Sequence, residues 1–335
     1  MPDTVAGNDG GSRTGVVLFQ LGGPDSLEAV EPFLYNLFCD PDIIDLPLAF
    51  LFRKPLARFI ARSRAPKVQE YYSYMGGKSP ILPLTRRQAS SLALALQPLG
   101  NPRVVIAMRY WHPMTDAAVR ELQQNGVKRV VLLPLFPQYS RSTTGSSVHE
   151  WERAASRQGY APRVHLIEEY CEHPSYVRAI VRNIRIALQR VPPPERQRVH
   201  LVFSAHGTPL SLVRAGDPYQ AQVIRTCNAV VQAGDFGLPH YLCYQSKVGP
   251  QKWLEPSLVQ TVARLAAEQV THMIVVPLAF VTDHSETLWE INHEVRMAAL
   301  HGGITYFDMS PALNASPLFI EALADLTGQA LRNMT

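Results

Sequence analysis

The sequence predicts an α/β chain of two doubly wound domains, each built on a four-stranded parallel sheet. Three observations lead there. Aliphatic and β-branched runs recur without polar alternation, as expected of strands buried on both faces. Segments with helical spacing of their apolar residues lie between the runs. The second half of the chain also reads as a loose copy of the first.

In chain order the strands are expected at "GVVLFQLGG" (15–23), "RVVIAMRY" (103–110), "RVVLLPLFPQYS" (129–140) and "RVHLIEEY" (163–170). The second set is "VHLVFSAHG" (199–207), "HYLCYQSK" (240–247), "HMIVVPLAFVTD" (272–283) and "GITYFDMS" (303–310). Of the intervening helices, "MTDAAVRELQQNG" (114–126) offers Thr115 or Asp116 as a cap and Gly126 as a stop. A second stands at "EPSLVQTVARLAAEQ" (255–269). The copy aligns 15–24 with 200–209 and 127–143 with 270–286, which pairs Pro134 with Pro277. This organisation gives domains over 13–165 and 166–335, preceded by a leader over 1–12 that reads as disordered.

One segment breaks the symmetry. Between its first two strands the first half carries an insertion, about 33–80, rich in Phe, Leu and Ile and interleaved with Arg53, Lys54, Arg58, Arg62, Arg64 and Lys67. Such a mixture suits an interfacial amphipathic segment or a greasy lip over a pocket. A core helix with a solvated basic face fits the composition equally well.

Bulk properties narrow the function. Hydrophobic residues make up 46% and charged residues 18% of the chain, as in an ordinary globular protein. A net charge of +4 suits an acidic small substrate or an anionic membrane surface and is too weak to argue for nucleic acid. The start of the chain lacks the basic and apolar regions of a signal peptide. No apolar run approaches the ~20 residues of a membrane helix. The four cysteines, Cys39, Cys171, Cys227 and Cys243, form no C-x-x-C pair and read as reduced, mostly buried thiols of a cytosolic protein.

In open α/β sheets ligands bind beyond the carboxyl ends of the strands. Those ends carry Gly22–Gly23, Arg109–Tyr110, Gln138–Tyr139, His206, Gln245–Lys247 and Asp283–Glu286. His206 and Glu286 end strands of the same half, and an imidazole facing a carboxylate offers a base, a pair of metal ligands, or both. A lone histidine at a strand end is more often structural. The set is wrong for a closed structural zinc site, and neither dinucleotide nor P-loop spacing is present. "TTGSS" (143–147) either binds an anion at a helix start or merely caps that helix. Glu286, Glu290 and Glu294 recur at intervals of four, a row that an α-helix would let drift around its axis. A wider π-type turn would hold them nearer to one line. Like charges in a row cost stability, so the row reads as a cation guide or, equally, as a solvated acidic face.

Together these residues resemble the ferrochelatase family, whose members insert ferrous iron into a porphyrin. The resemblance runs from about Gly15 to the C-terminus through "LGGP", "PKVQEYYSYMGGKSPI", "AMRYWHPMT", "FPQYSRSTTGSS", "SAHGTPLSLVRAGDPY", "YQSKVGPQKWLEPS" and "FVTDHSETLWEINHE". It implies the chelatase fold, two Rossmann-like domains around a porphyrin cleft, with the last helix able to pack on the first domain. It implies His206 and Glu286 as catalytic residues, with Asp283 and His284 supporting. The metal candidates are His206, Glu286, Glu290 and Glu294. Leu21, Arg64, Tyr72, Ser79, Arg109 and Tyr139 fall at positions lining the pocket or reaching propionates, and Trp253 at its edge. Thr208 departs from the aliphatic residue usual beside the histidine. Arg141 stands where animal members place one ligand of a [2Fe–2S] cluster, and no cysteine-rich tail follows "LRNMT", so no cluster is expected.

The expected activity is insertion of Fe²⁺, as substrate, into protoporphyrin IX, with no tightly bound cofactor, by a cytoplasmic protein peripheral to the inner face of the cytoplasmic membrane. A coproporphyrin III ferrochelatase or a cobalt chelatase of the same fold is the nearest alternative. The apolar stretch 43–60 argues against the more polar lip that four propionates would need. A porphyrin carrier would keep the pocket but need no base. Oligomeric state is left open.

Overall fold

Each of the eight expected runs contains a strand, and every strand pairs in parallel. In the computed structural model, residues 14–43, 49–247 and 251–334 are described, the side chains of 49–51 excepted. β1 (Thr14–Gln20), β2 (Arg103–Met108), β3 (Arg129–Pro134) and β4 (Arg163–Leu166) form one sheet in the order β2-β1-β3-β4. β5 (Val199–His206), β6 (His240–Gln245), β7 (His272–Pro277) and β8 (Tyr306–Met309) form the other in the order β6-β5-β7-β8. This is the predicted α/β class.

Register identifies equivalent residues in the two halves. Phe19 pairs with Pro134 on β3 just as Ser204 pairs with Pro277 on β7. Val16 pairs with Val104 on β2 as Leu201 pairs with His240 on β6. Both agree with the sequence alignment of the halves. Leu21 therefore stands in the first half where His206 stands in the second, and Arg109–Tyr110 stand where Gln245–Ser246 do.

The helices complete the winding. α1 (Val30–Phe38), α2 (Ala49–Tyr74) and α3 (Ile81–Ala95) lie between β1 and β2, and α4 (Thr115–Gln124) leads to β3. A π-helical turn at Arg141–Gly145 runs into α5 (Ser146–Arg157) before β4. α6 (Pro174–Arg190) links the halves, followed by α7 (Leu210–Arg214), α8 (Tyr219–Gly234) and α9 (Leu258–Ala267). A π-helix at Glu286–Val295 runs into α10 (Arg296–His301), and α11 (Pro317–Arg332) follows β8. π-helical turns thus follow the equivalent strands β3 and β7.

The expected cap of α4 is a correction. Thr115 and Asp116 lie inside the helix, and Met114 holds the cap position in extended backbone with no side-chain bond. Asp116 instead pairs with Arg157 of α5 at 2.9 Å, and the buried Thr115 belongs to the interior. Gly126 follows the C-cap with φ of +65° and stops the helix as expected.

One hydrophobic core runs through both halves. It joins Val16, Leu18, Val131 and Leu133 of the first sheet to Leu201, Phe203, Ile274 and Val276 of the second, through side chains of α3, α6, α8 and α11. α11 packs on α3 and β3 as well as on α6, and Arg163 of β4 donates to the carbonyl of Met334 at 2.8 Å. A separate, smaller core holds α2 to α1. Ala57, Ala61, Ala65 and Tyr72 form an inner stripe of α2 that buries against Phe33, Leu34 and Phe38. The outer face of α2 exposes Phe52 (64%) and Phe59 (73%) among exposed Lys54, Arg58 and Arg62. The helix thus has a core side and a greasy, basic outer side. Residues 44–48 of the apolar stretch 43–60 lie outside the described residues. Among the described residues no helix is long and apolar enough to cross a membrane.

Buried polar struts fix the two halves. Gln138, past the end of β3, donates to Thr226 Oγ1 of α8 at 2.9 Å, and Thr226 donates onward to the carbonyl of Cys171 at 2.7 Å. Replacing the fully buried Thr226 by Val strands the carbonyl of Cys171 and leaves Gln138 its longer contact with Tyr176 at 3.4 Å, and an orphaned buried group costs about 1–3 kcal/mol. Thr226→Val should therefore lower the free energy of unfolding by about that amount in a denaturant titration.

Candidate active site

The carboxyl ends of β5, β6 and β7 bring the predicted chemistry together. His206 is the last residue of β5, and Glu286 opens the π-helix after β7. His206 Nε2 lies 3.8 Å from Glu286 Oε2. His206 Nδ1 sits against the carbonyl of Gly207, which can only accept, so that nitrogen carries the proton. In the neutral ring Nε2 is then the free acceptor, and it faces the carboxylate. The ring lies near Trp253 (6.4 Å between centroids) and Phe280 (6.3 Å). Gly207 is required by close approach, since a Cβ there would stand 2.9 Å from the carbonyl oxygen of Gln245 and 3.3 Å from Trp253. Among the described residues the buried Thr208 hydroxyl meets no hydrogen-bond partner.

Glu290 stands one turn beyond Glu286. Its carboxylate receives the backbone N–H of Ser246 at 2.9 Å and the Ser246 hydroxyl at 2.6 Å, and the same hydroxyl lies 3.3 Å from Glu286. Burial, followed by the charge of Glu286, pushes the Glu290 carboxyl up to about 6. Glu294 is exposed, facing the charge of Lys67 on α2. Among the described residues no three His, Cys, Asp or Glu side chains converge closely enough to hold a metal ion. The structure thus brings His206, Glu286 and Glu290 together and leaves Glu294 outside, on the expected π-helical segment.

The supporting residues hold this frame. Asp283 accepts from Thr287 Oγ1 at 2.9 Å and from Asn314 Nδ2 at 2.8 Å, which ties the strand end to the first turn of the π-helix. His284 is buried, with Nδ1 2.9 Å from the carbonyl of Thr282 and its ring against Phe280. Tyr72 of α2 reaches Ser285 at 3.5 Å, and burial pushes its phenol up to about 12. Further along α2, Tyr71 stacks on Trp289 at 4.8 Å and Tyr74 meets both Trp289 and His293. These rings fasten the insertion to the π-helix.

The other pocket candidates are distributed around the strand ends. Half-buried Leu21 follows β1, and Ser79 is buried against Gly23, where a Cβ would stand 2.6 Å from its Oγ. Tyr139 follows β3, its N–H donating to Gln222 Oε1 at 2.7 Å and its phenol raised by burial and then by Asp217. Arg64 is exposed, its guanidinium 5.8 Å from the Phe38 ring. Arg109 is held by Asp40 at 3.0 Å and donates to Ser146 Oγ at 2.7 Å. Burial alone would raise the Asp40 carboxyl, but Arg109 with the Ser146 and Tyr110 hydroxyls holds it below its usual range. Ser146 is spent on this cluster and Ser147 on the carbonyl of Thr143, so these two hydroxyls of "TTGSS" bond within the fold.

The family model for ferrochelatase matches residues 13–331. The chain belongs to the ferrochelatase family. The ferrochelatase of Geotalea daltonii is 45% identical over 314 residues, covering 94% of this chain and 97% of that one. The ferrochelatase of Aquifex aeolicus is 45% identical over 317 residues, covering 94% and 98%. The structure of SirB from Bacillus subtilis with Fe3+ superposes with a TM-score of 0.57 at 13% identity, covering 96% of this chain and 97% of that one. DR2241 from Deinococcus radiodurans, described as similar to chelatases, gives 0.52 at 14% identity over 94% of this chain and 55% of that one. At such identities these two likenesses concern the fold, which is that of a chelatase. As a ferrochelatase-family member the chain is a metal-chelating lyase.

Sequence reasoning assigned no role to Ser246, Phe280 or Asp40. Ser246 lies within a strand end already marked as important and Phe280 just short of one, but nothing in the string singles them out. Asp40 lies in an insertion whose apolar composition hides it.

Glu290 gives the site a pH signature. The folded protein keeps a proton there up to about pH 6, while the unfolded chain releases it near 4.5, so folding stability falls as pH rises through that window. At ~1.4 kcal/mol per unit the fall is about 2 kcal/mol. Glu290→Gln should remove it, read as unfolding free energies of parent and variant across pH 4 to 7.

Proposed function

We propose that the chain inserts Fe²⁺ into protoporphyrin IX, forming protohaem and releasing two protons. The pairing of His206 with Glu286 at 3.8 Å, in a ferrochelatase-family chain, is the observation that carries this reading. Metal insertion must take two pyrrole protons from the macrocycle and water from the ion. His206 Nε2, left unprotonated by the Nδ1 contact, accepts a pyrrole proton, and Glu286 stabilises the imidazolium or relays the proton onward. Asp283 and His284 keep the first turn of the π-helix in place. Glu294 and then Glu290 meet the hydrated cation before it reaches Glu286 and His206, stepwise and not in a closed cage.

Leu21, Tyr72, Ser79, Tyr139 and Trp253 would wall the macrocycle, with Arg64 and Arg109 as the basic groups for propionates. An apolar cleft with a few basic groups suits a flat amphiphilic dianion. The Fe²⁺ is a substrate, and we infer that no [2Fe–2S] cluster is held. Dispersal of the four cysteines along the chain, with Cys171, Cys227 and Cys243 buried, supports that.

Anaerobic incubation with Fe²⁺ and either protoporphyrin IX or coproporphyrin III tests the substrate. Protoporphyrin IX should be the faster, and a preference for coproporphyrin III would overturn that half of the reading. His206→Ala should abolish insertion while porphyrin affinity stays within about tenfold, or ~1.4 kcal/mol. Near-normal turnover in that variant would sink the assignment.

The outer face of α2 supports peripheral attachment to the inner face of the cytoplasmic membrane. Phe52 and Phe59 lie two turns apart on the same helix, both exposed and flanked by Lys54, Arg58 and Arg62, a pattern that lays a helix on an anionic interface. Leu48, Phe50 and Leu51, part of the same apolar stretch, lie outside the described residues or their side chains. Changing Phe52 and Phe59 to Ser should weaken sedimentation with anionic vesicles and leave the thermal midpoint unchanged. Equal vesicle binding would make this face merely solvated.

A further inference from the structure

We propose that Ser246 is the positioning residue of the acidic row: it holds the Glu290 carboxylate beside that of Glu286, so that a divalent cation meets the two acids as one preset pair. The inference rests on the chelatase reading above and adds a residue to it.

The hydrogen bonds are unusually complete. Ser246 uses both of its donors on one side chain, the N–H on Glu290 Oε1 and the hydroxyl on Glu290 Oε2. A glutamate otherwise free to sample several rotamers is thereby fixed at both oxygens. The same hydroxyl oxygen touches Glu286 Oε2 at 3.3 Å, so one small residue sets the spacing between two acids that repel each other. Bonds to a charged acceptor are the strong ones, and such a bridge offsets part of the cost of keeping two carboxylates close.

The backbone supplies an independent sign. Ser246 has φ of +65°, a left-handed conformation that a residue with a Cβ adopts only against strain. Glycine would take it freely, yet the position carries a hydroxyl. Strained backbone of this kind collects at functional sites, where the surroundings hold it. Here the neighbour that holds it is Gln245, which is buried, accepts from Ser204 Oγ at 2.7 Å and donates to the carbonyl of Glu286 at 3.2 Å. The end of β6 therefore grips the π-helix twice, through the backbone of Glu286 and the side chain of Glu290.

The duplicated half shows the grip to be a feature of the fold. At the equivalent place Arg109 and Tyr110 reach Asp40 and Ser146, the first residue of α5 after the other π-helical turn. There the acceptor is a single acid, buried and neutralised by its arginine. In the second half the acceptors are two partly exposed acids with no arginine or lysine within ion-pair distance among the described residues. The same strand end that seals one half thus presents charge in the other.

Three variants at Ser246 test the assignment in the anaerobic insertion assay. Ser246→Ala and Ser246→Gly should each raise the KM for Fe²⁺ about tenfold, the loss expected of one hydrogen bond to a charged group. The KM for porphyrin should stay within about twofold. Ser246→Thr keeps the hydroxyl and should restore most of the iron affinity. The glycine variant takes the backbone twist without strain, so an effect shared with alanine belongs to the hydroxyl and not to misfolding. In a Glu290→Gln background the alanine change should add nothing further, as coupling through that carboxylate requires. Titrating parent and Ser246→Ala with Co²⁺ in the absence of porphyrin reads the same pair without turnover, and affinity should again fall about tenfold. An iron KM or Co²⁺ affinity unchanged in the alanine variant, or an undiminished effect in the Glu290→Gln background, would overturn the role given to Ser246. A parent that binds Co²⁺ in a Ser246-dependent way but fails to metalate protoporphyrin IX would instead count against the proposed substrate.

Discussion

Because β5 pairs in parallel with β6 on one side and β7 on the other, all three strands release their chains at the same edge. That constraint makes the site. His206 leaves β5, Gln245–Ser246 leave β6, and the chain beyond β7 turns into the π-helix that carries Glu286 and Glu290. An antiparallel neighbour would send one of these groups to the far end of the sheet. The close approach at Gly207 follows from the same geometry, because adjacent parallel strand ends leave no room for a Cβ between β5, Trp253 and β6.

The fold was largely legible in the sequence. Strands buried on both faces leave continuous apolar runs, and two sheets built on one plan leave alignable ones, so Pro134 and Pro277 mark the same step of each ladder. The juxtaposition of His206 with Glu286 was legible for a related reason, since each follows a strand whose end is fixed by pattern. Other features were not. Local rules nominated Thr115 and Asp116 as caps of α4, but the interior took the first and Arg157 the second. The attachment of Arg109 to Asp40 joins residues far apart in sequence, one of them in an insertion whose composition advertises only its greasiness. The backbone twist of Ser246 leaves no trace in the string at all, because serine is an unremarkable choice at a strand end. Pattern reports burial and periodicity; it does not report which polar partners meet.

The two halves also show how one scaffold is used twice. Both place a wide helical turn after the third strand in chain order, and both brace it from the end of the neighbouring strand. In the first half, the charge so gathered is cancelled, with Arg109 beside Asp40 in the interior. In the second, Glu290 is buried enough to resist ionisation yet remains within the field of Glu286 and His206. A carboxyl so placed is costly to the fold, and functional sites are where such costs are retained.

The continuous core has a mechanical consequence. Side chains from both sheets, together with α3, α6, α8 and α11, interlock in a single packed body. Close-packed interiors resist shear, so the halves are poorly suited to swing apart like the jaws of a hinge, and the spacing between their strand ends is set once, on folding. α1 and α2 belong to a different, smaller body, joined to the π-helix by the rings of Tyr71, Tyr74, Trp289 and His293. The smaller body is thus the part of the structure whose packing stands apart from that interlock. The π-helix rides on the same aromatic fastening, so any displacement of α2 would bear directly on the geometry of the acids.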